Sequence, residues 1–495
     1  MEEEIMEQQV QPEVVDGGVG ETTTKGLIAE AYNPAEYISR NLKSGFGEGD
    51  KKVEKDKEAD LAMRMASMCI KENFRFGNGY VMLFTGKAYK LMTDKTLESL
   101  IVEGLEMRNI GAVYIVNSIA AIRKHLERKI TREYRPRKNI VSFSNCILDM
   151  DENMTFPHSE RLETDIAMEY DYDPDAQCPK FMRYLHEVLQ DEDTMATLQE
   201  FCGALFIDRR KYKIENILYL LGTGQNGKGV FANTLIYLLG SQNISSFSVS
   251  KLVRDGDRAY NIAAMNGKLA NICTDMSKGD ISGGDFKTIV SGEPIMARHA
   301  YGRPFSADNL PLIIANVNEM PVTTDHTVGH TRRPLPIPFN VYISDEKKDL
   351  ELESKLRDEV SGIFNWVYEG RKRFIKNKGK FTEGKEIRME RERIRLESNS
   401  VLQYMTDNQY APKSSEGCSE LWISNRDIYE KYQQYCRDFG KKNAFEANSM
   451  GRILAQEGYV SRRYAGGRGY VVYMGGEKFR EITKDEEEEE KKLPF

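Results

Sequence analysis

The chain has 495 residues, with 70 Lys and Arg against 77 Asp and Glu, and 40% of it is hydrophobic. That profile is globular, gives material for roughly two to four domains, and excludes a disordered or collagen-like chain. No apolar run approaches the ~20 residues of a membrane helix, and the acidic start MEEEIMEQQV is not a signal peptide, so the expectation is a cytoplasmic protein with no membrane part.

Seven cysteines are scattered (69, 146, 178, 202, 273, 418, 436) with no C-x-x-C spacing, and six histidines form no group. Neither a disulfide framework nor a zinc site is indicated. The net charge of -7 hides an asymmetry. Residues 1–30 carry eight acids and one Lys, and residues 481–495 carry seven acids and three Lys, which leaves residues 31–480 at net +4. A basic body suits nucleic acid without requiring it.

Residues 1–30 read as a disordered acidic tail. Residues 31–190 form a helical and mixed N-terminal region, with a hairpin in VMLFTGKAYKLM (81–92) and a basic helix in NSIAAIRKHLERKI (117–130). Residues 179–207 read as two helices broken near Asp191–Asp193. ENILYLLG (215–222) is a short apolar run ending in glycine, hence a buried strand feeding a turn, and VFANTLIYLLG (230–240) continues at helical spacing. GKLANICTDM (267–276) and LPLIIANVN (310–318) are further strand-length runs, so the fold class is α/β with a parallel core over 191–345. After Phe339 the apolar stripe Leu352, Leu356, Val360, Ile363, Phe364 and Val367 marks a helix. Residues 370–400 are highly charged and read as exposed, the later part of a helical connector over 346–400. Residues 401–480 read as a small winged-helix domain: two helices, the second capped by Asn448 or Ser449, then two strands joined at Gly466–Gly469. Residues 481–495 are a second acidic tail, ending in Leu493-Pro494-Phe495.

The chemistry concentrates after the first core strand. Gly222, Thr223, Gly224, Gln225, Asn226, Gly227, Lys228 and Gly229 fit the phosphate-loop pattern G-x-x-x-x-G-K without its final hydroxyl residue. Glycines let the backbone wrap a phosphate, the following helix adds its positive end, and Lys228 adds a point charge. Mg²⁺ normally takes the missing hydroxyl, so Gly229 leaves the metal to waters and an acid elsewhere. Asp275 ends a strand pattern and is the candidate acid, able to hold Mg²⁺ through water or to polarise the attacking water. Asn318 ends the next strand pattern and can orient water at a γ-phosphate. Arg332 and Arg333 follow, and an arginine can stabilise transition-state charge on phosphate bound by a neighbouring subunit.

This ordered set resembles the superfamily 3 helicases of the phage and plasmid primase–helicase type, related to the poxvirus primase–helicase. The likeness is carried by GTGQNGKGVF, GKLANICTDM, FKTIVSGEPIMARHAYGRPF, NVNEMP and TRRPLPIPF, with the segment from Asn145 preceding them and the winged helix following. Asp275 stands where that family often has Glu, and no polymerase-like acidic set lies upstream, so any priming would come from a separate primase. The resemblance implies an AAA+-like P-loop ATPase core, ATP and Mg²⁺ as cofactors, and a homo-oligomer, a hexameric ring. Lys228, Asp275, Asn318, Arg332 and Arg333 would be catalytic, with Arg333 the leading finger. It implies single-stranded and forked DNA as partners, gripped by a channel hairpin at Ile295–Arg303 through Arg298, His299, Tyr301 and Arg303. Arg462, Arg463 and Arg468 would bring the winged helix to DNA. The acidic tail with its Leu-Pro-Phe tip is similar to the tail of bacterial single-stranded DNA-binding proteins, which dock on replication partners. The rival to a helicase is an ATP-gated origin-binding or loading protein that hydrolyses weakly, and a third reading is an AAA+ ATPase that acts on protein.

Overall fold

The structure, a computed structural model, describes residues 74–77, 80–93, 95–99, 123–124, 128, 130, 134, 136–253, 256–274, 284–299, 304–321, 332–414, 418–441, 444–464 and 467–474. Both acidic tails, the helix at 117–130 for the most part, Asp275, Tyr301, Arg303, and the Leu-Pro-Phe tip lie outside these residues. Among the described residues, no helix is long and apolar enough to cross a membrane.

The chain begins with two small antiparallel sheets. Strands β1 (Phe74–Gly77), β2 (Tyr80–Phe84) and β3 (Tyr89–Leu91) form one, with the hairpin turn at Thr85–Ala88 as the sequence predicts. Strands β4 (Ile140–Ser142), β5 (Ile147–Asp149) and β6 (Met154–Phe156) form the other. Helices α1 (Pro179–Val188) and α2 (Glu192–Ala204) follow. They part at Asp191, whose carboxylate accepts from the Thr194 N–H at 2.8 Å and so satisfies an end donor of α2.

The centre is a mixed α/β unit. Strand β7 (Ile217–Leu221) leads into α3 (Lys228–Leu239), then β8 (Ile244–Ser245), α4 (Val249–Val253), α5 (Arg258–Met265), β9 (Ala270–Cys273), α6 (Gly284–Ser291), the pair β10 (Ile295–Ala297) and β11 (Phe305–Ala307), β12 (Leu312–Val317) and β13 (Pro334–Pro338). Five strands make an all-parallel sheet in the order β13-β7-β12-β9-β8. Their side chains alternate between two apolar cores. Leu218, Leu220, Ile272, Ile314 and Ile337 enter one, and Ile217, Tyr219, Leu221, Ile313 and Ala315 enter the other. Burial on both faces explains why these strands read as unbroken apolar runs.

Strand β13 has proline at 334, 336 and 338, a pattern that argues against a central strand. It is an edge strand, where alternate residues need no N–H for the ladder, and the prolines block a further strand from adding.

Helices α7 (Leu352–Arg357), α8 (Val360–Lys376) and α9 (Lys385–Glu397) come next. The expectation of an exposed connector over 370–400 is corrected here. Phe374 and Ile387 are fully buried, and Arg371 is buried, donating to the carbonyls of Phe206 and Met150 and pairing with Asp151. Arg373 reaches Glu200, which is fully buried, at 2.8 Å. The charges of this stretch include inward ones with partners waiting.

The last part holds α10 (Ser400–Asp407), β14 (Tyr410–Ala411), β15 (Ser419–Ser424), α11 (Asn425–Asp438), α12 (Ala447–Gln456), β16 (Val460–Tyr464) and β17 (Gly467–Met474). Its three helices pack on one face of the sheet around Tyr432, Leu454 and Val472. Helix α12 starts one residue before Asn448, so Glu446 takes the cap position and neither Asn448 nor Ser449 does.

Candidate nucleotide site

The glycine loop leaves the carboxyl end of β7 and enters α3, the edge where open α/β sheets bind ligands. Positive φ values at Gly224 (115°), Gln225 (48°) and Gly227 (88°) curl it back on itself. Gly227 needs both its conformation and its bareness: a Cβ there would lie 2.8 Å from Val188 Cγ1. Asn226 is buried and its Nδ2 donates to the Phe339 carbonyl at 3.0 Å, pinning the loop to the end of β13. The Tyr184 hydroxyl donates to the Gly227 carbonyl at 2.9 Å, and the Ile343 N–H donates to the Gln225 carbonyl at 2.7 Å. These anchors from 184 and 339–343 were invisible in the sequence, because their partners are backbone atoms.

Lys228 is buried at the first position of α3. Its Nζ donates to the Gly222 carbonyl, to the Val317 carbonyl at 3.1 Å and to Asn318 Oδ1 at 3.1 Å. Burial lowers its pKa from the ordinary lysine value. The structure thus brings together Lys228, at the start of the helix that follows β7, and Asn318, just past the end of the neighbouring strand β12. Asn316, on β12 two residues before Asn318, has a buried Oδ1 with no hydrogen-bond partner among the described residues. The lysine's three partners are all oxygens, so an anionic oxygen can replace them one for one, and the cradle fits a phosphate. Gly229 faces open space, with nothing within 4 Å of a Cβ built on it. A cleft of about 660 Å³ opens beside Gly222–Gly224 and Asn318, with Met320, Tyr342 and Arg393 also on its walls. Asp275, the candidate metal ligand, is outside the described residues, and these contain no cluster of three or more His, Cys, Asp or Glu.

The arginine pair lies elsewhere. Arg333 precedes β13 and its carbonyl accepts from the Ile217 N–H at 3.0 Å, so Arg332 and Arg333 stand at the amino end of β7. The length of β7 separates them from the glycine loop by about 17 Å. They cannot touch a phosphate held in their own loop. Arg333 is 5% exposed, donates to Ser291 Oγ at 2.8 Å and lies 3.7 Å from Glu215. Arg332 is largely exposed and pairs with Glu215. Burial would raise the Glu215 pKa, yet the Lys213 hydrogen bond and the Arg332 and Lys213 charges hold it below the usual value. Of the pair, Arg332 is therefore the one with a free approach to another molecule, the reverse of the preference for Arg333.

The expected hairpin exists as β10 and β11, joined in the register Ile295–Ala307, so its arms extend past Arg303 to Ala307. Arg298 is beside Tyr260, with a 2.8 Å hydrogen bond to its hydroxyl and the guanidinium over its ring. His299 stacks on Phe305 at 5.3 Å, and burial lowers its pKa. Burial favours the uncharged ring, which can still offer a phosphate a hydrogen bond. Arg462, Arg463 and Arg468 all lie exposed on the β16–β17 hairpin.

Residues 220–333, from the end of β7 to Arg333, match a family of unknown function, DUF5906. The chain also matches the apo structure of NrS-1 C terminal region (305-718), at 12% identity and a TM-score of 0.44 over 86% of this chain and 100% of that one. Two A form apo structures of the same NrS-1 region match at 12% identity and TM-scores of 0.43, covering 81% and 85% of this chain and 96% and 100% of theirs.

Proposed function

We propose that the chain is an ATP-dependent DNA helicase of phage or plasmid replication, with an AAA+-like P-loop core and a winged-helix domain, working as a hexameric ring on single-stranded DNA. The observation that carries this reading is the meeting of Lys228 and Asn318 under the glycine loop, at the carboxyl edge of a parallel sheet. The loop and Lys228 bind the triphosphate, and Asn318 orients water at its end. Mg²⁺ neutralises phosphate charge when bound, with Asp275 its candidate ligand through water. Arg332 comes from the next protomer, because its own loop is out of reach. The β10–β11 hairpin, with Arg298, Tyr301 and Arg303, grips a strand in the channel.

A second reading, an ATP-gated origin-binding or loading protein with weak hydrolysis, is favoured by Gly229, which brings no hydroxyl to the metal, and by Asp275, a lone acid in the sequence where many such sites carry two. Strand displacement on a forked duplex with Mg²⁺-ATP separates the two. Unwinding supports the helicase, and nucleotide-dependent DNA binding without unwinding supports the loader.

A further inference from the structure

The sheet of β15, β17 and β16 has two faces of different character. Tyr470 and Val472 of β17, with Ile423 of β15, face the three helices and are buried. The opposite face is built by the other half of each strand. Trp422, Val471 and Val460 form one cross-strand row, Ser424, Gly469 and Arg462 the next, and Gly467 and Tyr464 the last.

Gly469 of the middle strand leaves a gap on this face, and the indole of Trp422 fills it. A Cβ on Gly469 would lie 2.6 Å from Trp422 Cε2. The Trp422 ring meets Tyr464 edge-on at 5.7 Å between centroids. Trp422 is half-buried, and its Nε1, buried against Gly469, has no hydrogen-bond partner among the described residues, so packing alone holds the ring. Tyr464 is 44% exposed and Val460 51% exposed. Arg462 is exposed between them, within a stretch (421–480) of net +5.

We propose that this outer face, opposite the helices, is a stacking platform for single-stranded DNA. Trp422 and Tyr464 take successive bases, and Arg462 takes the backbone between them. A half-buried indole and an exposed tyrosine beside an exposed arginine suit unpaired bases, whose faces are free, and not a duplex, whose bases are stacked on one another. Of this surface, the winged-helix reading of the arginines uses Arg462 and neither aromatic ring, and the proposal holds whether or not the chain hydrolyses ATP.

The chain has two tryptophans, Trp366 and Trp422, and Trp366 packs edge-on against Phe181 at 5.1 Å. In the full chain carrying Trp366→Phe, the fluorescence therefore reports residue 422. Titration with a dT oligonucleotide, without nucleotide, is expected to quench it to saturation, and a duplex of equal length is expected to quench it far less. Tyr464→Ala, at an exposed position, is expected to weaken oligonucleotide binding roughly five- to 150-fold, the range of a lost base stack. Arg462→Ala is expected to shallow the salt dependence. Binding of a labelled oligonucleotide with no change in fluorescence, equal quenching by duplex, or an unchanged affinity in Tyr464→Ala would each overturn the proposal.

Discussion

Two glycine-to-alanine substitutions in helices are expected to act in opposite directions, although helix propensity favours both by about 1 kcal/mol. Gly203 lies where α2 crosses α8. A Cβ there would be 2.1 Å from the Arg371 backbone nitrogen and 2.6 Å from its Cα. Ordinary contact begins near ~3.4 Å, so α8 would have to retreat by more than ~1 Å, and backbone cannot rotate aside as a side chain can. That retreat also stretches the Gln199 bond to the Trp366 carbonyl and the Arg373 bond to Glu200. Overpacking costs about 1–3 kcal/mol before those losses, so the net effect of Gly203→Ala is a destabilisation of about 2 kcal/mol. Gly229→Ala, with open space around its Cβ, keeps the propensity gain. Thermal unfolding followed by circular dichroism should show a midpoint lower by roughly 4–8 °C for Gly203→Ala and unchanged or slightly higher for Gly229→Ala. A Gly203→Ala midpoint at or above that of the unsubstituted chain would refute the backbone-contact argument.

Glu200 is fully buried and accepts from Arg373, from the Thr382 N–H at 2.6 Å and from the Thr382 hydroxyl at 2.8 Å, so Glu200→Ala should lose about 3–5 kcal/mol in a denaturant titration, and Glu200→Gln less. Arg332→Ala is expected to keep the midpoint and ATP affinity while abolishing turnover, whereas Arg333→Ala, buried beside Ser291 and Glu215, should lower the midpoint; a calorimetric binding titration and a melting curve separate the two. Lys138 is buried, and burial, with Arg209 adding to it, pulls its pKa down from 10.5 to about 8 against the pull of Asp165. Between pH 8 and 10.5 the unfolded chain therefore holds the extra proton and stability rises with pH; below about 8 both states hold it and the full cost, on the order of 3 kcal/mol, stands. Lys138→Met should gain stability at pH 7 and lose that rise, as measured by denaturant midpoints across the range.

Much of the centre was legible because buried parallel strands are apolar without interruption. The runs around Leu218, Ile272 and Ile314 became β7, β9 and β12, and the glycine loop fell between strand and helix as its residues require. Strand β13 was not legible, since its three prolines signal a break everywhere except at a sheet edge. Strand β8 has two residues, too few for any period. Residues 370–400 were misread because composition counts charges and cannot tell which way they point: Arg371 and Arg373 turn inward to Asp151 and Glu200. At the site, Lys228 and Asn318 carried a pattern, but Tyr184 and Ile343 did not, because one lies in an ordinary apolar helix and the other acts through its backbone. The exposure difference between Arg332 and Arg333 depends on Ser291 and Glu215, which are far from them in the chain.

The most direct test is ATP hydrolysis with and without single-stranded DNA, for the unsubstituted chain and for Lys228→Ala. Turnover that single-stranded DNA stimulates and Lys228→Ala abolishes is the predicted result. Hydrolysis that survives the loss of the lysine, or a chain that neither binds nor turns over ATP, would contradict the account.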